Sequence, residues 1–201
     1  MLTIGLTGGS GAGKGYVSAL FRRGGIESLD TDLVARAVVE PGKPCLRELT
    51  QEFGESILRE DGTLNRRALA AIVFSDRERL AALNRITHAH ILAECRIWLK
   101  EREEAGDFAA IIDAPQLYES GFDSSCDLVA AVIADRETRI ARILRRDSIT
   151  REEALRRIEN QKPDEFFLEK ADFILRNNDD EHIEEQVEAL CRLLREKAAQ
   201  P

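Results

Sequence analysis

The chain is predicted to adopt an α/β fold: a parallel sheet of about five strands flanked by helices, with a helical insertion between the second and third strands. Three observations carry this. Short apolar runs at Leu2–Leu6, Ala109–Asp113 and Leu128–Ile133 suit strands covered on both faces. A glycine-rich turn follows the first of them and leads into a helical pattern. Helical stretches separate the strands, the order expected of right-handed parallel crossovers. At 201 residues the chain fits one domain carrying an insertion or lid.

Each element follows from its own residues. Leu2–Leu6 contains two β-branched residues and reads as the first strand. A helix from about Gly13 to Arg23 puts Val17, Leu20 and Phe21 on its inner face, and Gly24-Gly25 ends it. Ile26–Leu29 reads as the second strand, closing at Asp30-Thr31-Asp32. From Leu33 to about Gly106 the pattern is mainly helical, with turns at Pro41-Gly42 and Asp61-Gly62. Within it, Thr87–Glu104 is a long helix with Ile91, Cys95, Trp98 and Leu99 on one side. Arg136–Arg146 and Thr150–Gln161 are basic helices, the second opened by a Thr150/Glu153 capping box. Phe173–Leu175 is a short last strand. His182–Lys197 is amphipathic, with Ile183, Val187, Leu190, Cys191 and Leu194 facing the core.

Composition narrows the function classes. With 29 basic and 37 acidic side chains the net charge is −8, which disfavours a duplex nucleic-acid binder. Cys45, Cys95, Cys126 and Cys191 lie far apart and form no C-x-x-C pair, which suits free thiols in a reducing cytosol. No apolar run reaches the length of a membrane span. The N-terminal residues lack a basic stretch and enter a strand directly, so no signal peptide and a cytoplasmic protein are expected.

Gly8 through Lys14 match G-x-x-x-x-G-K. Glycines allow dihedrals that aim several N–H groups at one anion, and the following helix adds its N-terminal dipole. Gly9, Ser10, Gly11, Ala12, Gly13, Lys14, Gly15 and Tyr16 are therefore candidates for holding a nucleoside triphosphate, with Lys14 supplying the charge. The residue after the lysine is ordinarily Ser or Thr, whose hydroxyl binds Mg²⁺. Here it is Gly15. Either water takes that coordination position, with Mg²⁺ held by phosphates and an acid such as Asp32, or the chain binds nucleotide without turning it over.

On an extended segment Asp30 and Asp32 would share one side, and an aspartate is suited to accept a proton from an acceptor hydroxyl. A helix start at Thr31 or Asp32 is the alternative. Arg139, Arg142 and Arg146 share a helical face, with Arg145 beside them. They could stabilise a transferring phosphoryl group or form a solvated basic face. His88 and His90 fit packing or surface roles as readily as a substrate contact.

Taken together, these motifs resemble the dephospho-coenzyme A kinase family over nearly the full length. The residues that carry the likeness are Gly5 to Lys14, Asp30-Thr31-Asp32 with Arg36, Glu40-Pro41-Gly42, Phe53-Gly54, Asp61 to Arg66 and Phe74. His88, Asp113-Ala114-Pro115 with Leu117 and Glu119, Arg146-Asp147, Arg157 with Gln161, and Ala171-Asp172 leading to Asn177 complete it. The resemblance implies a P-loop, nucleoside-kinase-like core at 1–31 and 106–201, a helical CoA-binding region at about 32–105 and a lid at about 136–163. It implies transfer of the ATP γ-phosphate to the 3′-hydroxyl of dephospho-CoA. By position Asp32 is the expected base, Lys14 the phosphate lysine, Arg142 and Arg146 lid arginines, and Asn177 a residue near the nucleotide base. Arg36, His88, Pro115 and Leu117 are expected on the acceptor side. The chain departs from the family at Gly15-Tyr16, where Ser-Thr is usual, at Ala89, where Pro follows the histidine, and at Gln116 within Pro-Leu-Leu.

Overall fold

A computed structural model describes residues 1–74 and 76–199; Ser75, Gln200 and Pro201 lie outside the described residues. The chain divides into two compact units, Met1–Leu29 with Leu99–Pro201, and Asp30–Trp98.

The first unit holds the sheet. Its strands are β1 (Leu2–Gly8), β2 (Glu27–Asp30, which runs to the unit's edge), β3 (Ala109–Asp113), β4 (Leu128–Ile133) and β5 (Phe173–Arg176). Their order is β2-β3-β1-β4-β5, and β1 pairs in parallel with both β3 and β4, as β4 does with β5. β3 and β4 are buried along their whole length, as continuous apolar runs require. The flanking β2 and β5 are partly exposed and correspondingly less apolar. Because β1 lies between β3 and β4, the chain reverses its direction of travel across the sheet there. Ligands on such sheets bind beyond the carboxyl end of the strand at that switch point.

Helices α1 (Lys14–Arg23) and α9 (Ile183–Ala198) join one core with the sheet. It contains Ile4, Leu6, Val17, Phe21, Ile111, Val132, Val187, Leu190 and Leu194. All five residues expected to face inward from the last helix are buried. The opposite parity along β4 builds a second cluster, in which Ala131 and Ile133 meet Phe167 of α8 (Asp164–Lys170). α6 (Arg136–Asp147) and α7 (Arg151–Glu159) form a third, around Ile140, Ile143 and Ala154. The capping box that opens α7 is present in full: the Glu153 amide donates to Thr150 Oγ1 at 3.2 Å and the Thr150 amide to Glu153 Oε2 at 2.8 Å.

The second unit is helical: α2 (Thr31–Ala37), α3 (Pro44–Phe53), α4 (Arg66–Val73) and most of α5 (Arg77–Glu104). A single bridge between Leu58 and Leu64 is its only β pairing among the described residues.

Three boundaries differ from expectation. α5 starts at Arg77, not Thr87, because Asp76 caps it: its Oδ1 accepts the amides of Glu78 at 2.8 Å and Arg79 at 3.2 Å. α8 was not foreseen; seven residues after a proline give too short a period to read. Asp30-Thr31-Asp32 is not extended throughout. Asp30 is the N-cap of α2, and its carboxylate accepts the Asp32 amide at 2.8 Å.

Phe21 is fully buried where α1 meets the sheet and α9. Phe21→Ala is expected to lower the unfolding free energy by about 3–5 kcal/mol. The check is a urea titration, with a lowered midpoint at unchanged slope.

Candidate active site

The loop leaves the carboxyl end of β1 at the switch point. Gly8, Gly11 and Gly13 take φ values of 147°, 80° and 93°, which side chains with a Cβ resist. Gly13 is the left-handed N-cap of α1, with no side-chain cap. Within the loop the Ala12 amide donates to the Gly9 carbonyl at 3.1 Å. The amides of Gly11, Gly13, Lys14 and Gly15 donate to no protein acceptor among the described residues. Four unspent donors at a helix N-terminus attract an anion.

Lys14 is the first residue of α1, and its ammonium pairs with the carboxylate of Asp113 at the end of β3. Both side chains are largely buried, at 16% and 6% exposure. The register that sets Leu6 opposite Asp113 brings the carboxylate to the loop. A charge pair so enclosed keeps much of its attraction, and removing one partner strands the other.

Asn177 follows β5 and is buried. Its side-chain amide donates to the Ala12 carbonyl at 2.7 Å. Arg142 donates to the Asn177 carbonyl at 2.8 Å and reaches Ala12 and Asp179 at longer distances. A cleft of about 630 Å³ beside the loop is lined by Gly11, Gly13, Gly15, Tyr16, Arg142, Arg145, Arg146 and Asn177. Three arginines on a cleft next to free loop amides suit a polyanion.

The three arginines that share a face of α6 have different partners. Arg139 is buried and bonds the Ser10 carbonyl, so it is neither a solvated residue nor a cleft-lining one. Arg146 is exposed and grips Asp147 with two bonds of 2.6 and 2.7 Å, and Arg157 joins the same carboxylate. The bond from Arg146, helped by Arg157, holds the Asp147 carboxyl down at about 2. Arg145 makes no ion pair among the described residues. Tyr16 directs its hydroxyl to Glu184 of α9, a bond that raises the phenol's pKa and lowers the carboxyl's.

Of the remaining candidates, Pro115 and Leu117 belong to the first unit. Pro115 is half-buried after β3. Leu117 is fully buried, its methyl groups set against Gly5. That side chain fills space beside Gly5 of β1. Asp32, Arg36 and His88 belong to the second unit. Asp32 and Arg36 are exposed on α2, and Asp30 caps that helix, so the segment takes the helix start that stood as the alternative to an extended pair of acids. His88 is half-buried on α5, and burial lowers its pKa, which keeps it neutral at pH 7. His90 pairs with Glu48 at 2.8 Å.

Sequence reasoning offered Arg139 to phosphate and quoted Asp113 and Gln161 for the family likeness, but gave none of the three the contacts found here. Asp113 ends an apolar run, a visible signal for a carboxylate at the sheet edge. Gln161 accepts the Ser10 amide at 2.8 Å across 151 residues, which no local pattern announces.

Comparison with known proteins agrees with this arrangement. The family model described as dephospho-CoA kinase matches residues 2–183. The dephospho-CoA kinase of Corynebacterium efficiens is 44% identical over 178 residues, covering 89% of each chain. That of Listeria monocytogenes serovar 1/2a is 42% identical over 178 residues, covering 88% of each. Among solved structures, TT1252 from Thermus thermophilus has a TM-score of 0.79 at 34% identity, covering 97% of each chain. Dephospho-CoA kinase from Campylobacter jejuni, at 24% identity and a TM-score of 0.67 over 98% of this chain and 96% of that one, shares the fold. Loop, sheet order and nearly full-length identity agree: the chain belongs to the dephospho-CoA kinase family.

Proposed function

We propose that this chain is a dephospho-CoA kinase that transfers the γ-phosphate of ATP to the 3′-hydroxyl of the dephospho-CoA ribose, the last step of coenzyme A synthesis. The observation that carries the reading is the loop Gly8–Gly15, with four free amides and a largely buried lysine beside the Asp113 carboxylate, in a chain of this family. In this reading the core is 1–31 and 106–201, the second unit holds the acceptor within about 32–105, and α6 and α7 form a lid at about 136–163. ATP and dephospho-CoA are its partners, and the location is cytoplasmic. No helix among the described residues is long and apolar enough to cross a membrane.

The chemistry follows from the charges. The acceptor oxygen forms a bond to the γ-phosphorus as the bond to the β,γ-bridging oxygen breaks, and ADP leaves. The hydroxyl proton passes to the Asp32 carboxylate, and Arg36, His88 and Pro115 lie on the acceptor side. Lys14 and the loop amides hold the β- and γ-phosphates. Arg142 and Arg146 close over the charge that spreads on the transferring group. Asn177 borders the nucleotide.

Among the described residues no cluster of three His, Cys, Asp or Glu side chains could cage a metal. Mg²⁺ needs no such cage: it is commonly held by one or two carboxylates, substrate phosphates and water. Asp32 is the carboxylate offered, and the ion would neutralise phosphate charge.

Nucleotide binding without turnover is the second reading, and Gly15 favours it because it offers no hydroxyl ligand. A coupled assay of ADP release with dephospho-CoA, ATP and Mg²⁺ separates the two. Turnover is expected with dephospho-CoA and not with a panel of nucleosides and nucleoside monophosphates. Calorimetric ATP binding without any ADP release would reverse the choice.

Two substitutions sharpen it. Asp32→Asn is expected to lower kcat by about 10²-fold or more while leaving ATP binding intact; near-normal turnover would remove Asp32 from the base role. A Cβ at Gly15 would meet no atom within 4 Å, so Gly15→Ser fits without strain. It is expected to keep turnover within about fivefold, a small change on the barrier scale. A much larger rise, with a changed Mg²⁺ dependence, would show that the missing hydroxyl limits the native enzyme.

A further inference from the structure

The pattern G-x-x-x-x-G-K calls for glycine at positions 8 and 13, yet Gly9 and Gly11 occupy two of its free positions. Both sit against Arg139. A Cβ at Gly9 would overlap the Arg139 guanidinium, and one at Gly11 would overlap its backbone. The close approach of α6 leaves a Cβ no room at either position, and at Gly11 the positive φ disfavours a side chain as well.

Every nitrogen of that guanidinium is used. Nε donates to the Ser10 carbonyl at 3.0 Å, Nη1 to Asp164 Oδ1 at 3.1 Å and Nη2 to Gln161 Oε1 at 3.3 Å. Gln161 Oε1 also accepts the Ser10 amide at 2.8 Å. Ser10 is thus held at its carbonyl and its amide by residues 129 and 151 positions away.

Stability alone does not account for this arrangement. Arg139 is only 4% exposed, and burial lowers its pKa and raises that of Asp164, the opposite of what an unburied pair would show. An apolar side chain of similar volume commonly stabilises a fold as well as a buried ion pair does. What it could not supply is donors aimed at the loop.

We infer that Arg139, with Gln161 and Asp164, is a positioning device that fixes the Ser10 peptides so that the loop amides face the triphosphate, and so ties loop geometry to α6 and to the segment between α7 and α8. None of the three touches the reacting atoms; each acts through the loop. The inference rests on the proposed role of this loop as the ATP site.

The test is steady-state kinetics and ATP calorimetry on the full chain. Gln161 is half-buried and outside the core clusters, so Gln161→Leu should melt within about 2 °C of the unsubstituted chain. It removes the acceptor shared by Ser10 and Arg139. KM for ATP is expected to rise about tenfold, the scale of one or two lost hydrogen bonds, with KM for dephospho-CoA unchanged. Gln161→Glu keeps an acceptor oxygen and should bring KM for ATP back to within about threefold. Arg139→Lys, which cannot reach three acceptors in a plane, should act like Gln161→Leu. Unchanged ATP binding in both Gln161→Leu and Arg139→Lys would overturn the inference. So would equal rises in both KM values with a lowered melting temperature, the mark of a merely structural role. If the unsubstituted chain bound no ATP, the proposed function would fail and this inference with it.

Discussion

The turn from β1 into α1 must leave backbone amides unspent and aimed at an anion, and much of the first unit is arranged around that requirement. Left-handed glycines at 11 and 13 let the chain make the turn. Such a loop has few contacts of its own. Its shape is held from outside, by Asn177 on Ala12 and by Arg139 and Gln161 on Ser10. The sheet supplies the platform, because β3 and β4 flank β1 and their carboxyl ends carry Asp113 and the approach to α6.

Electrostatics follow the same division. The net charge is strongly negative, yet the cleft beside the loop is lined by three arginines. Two of these cations meet acids: Asp147 holds Arg146, and Asp179 lies against Arg142. Arg145 alone of the three has no acidic partner among the described residues. An acidic protein can therefore still concentrate positive charge where a polyphosphate would lie, because a binding site responds to nearby charges more than to the total.

Much of the fold was legible beforehand. Central strands declared themselves as unbroken apolar runs, and β3 and β4 begin and end where those runs do. The inner face of α9 followed from its period. Where the reading failed, a local signal was weak or had two meanings. Asp76 is a capping residue whose helix opens with charged residues, so the start of α5 was placed ten residues late. Asp30-Thr31-Asp32 fitted both an extended pair of acids and a helix start at Thr31 or Asp32, and it is the Asp30 carboxylate capping the Asp32 amide that marks the helix start.

What the sequence determined by itself was the loop, the layered α/β pattern and the family, since glycine spacing, hydrophobic period and motif order are all local properties of the chain. The partners were decided by tertiary structure. Lys14 meets Asp113 across 99 residues, and the arginines on one face of α6 each find a different acceptor. A helical period states which side chains point the same way. Which of them is buried, and what it bonds, depends on the elements packed against that face.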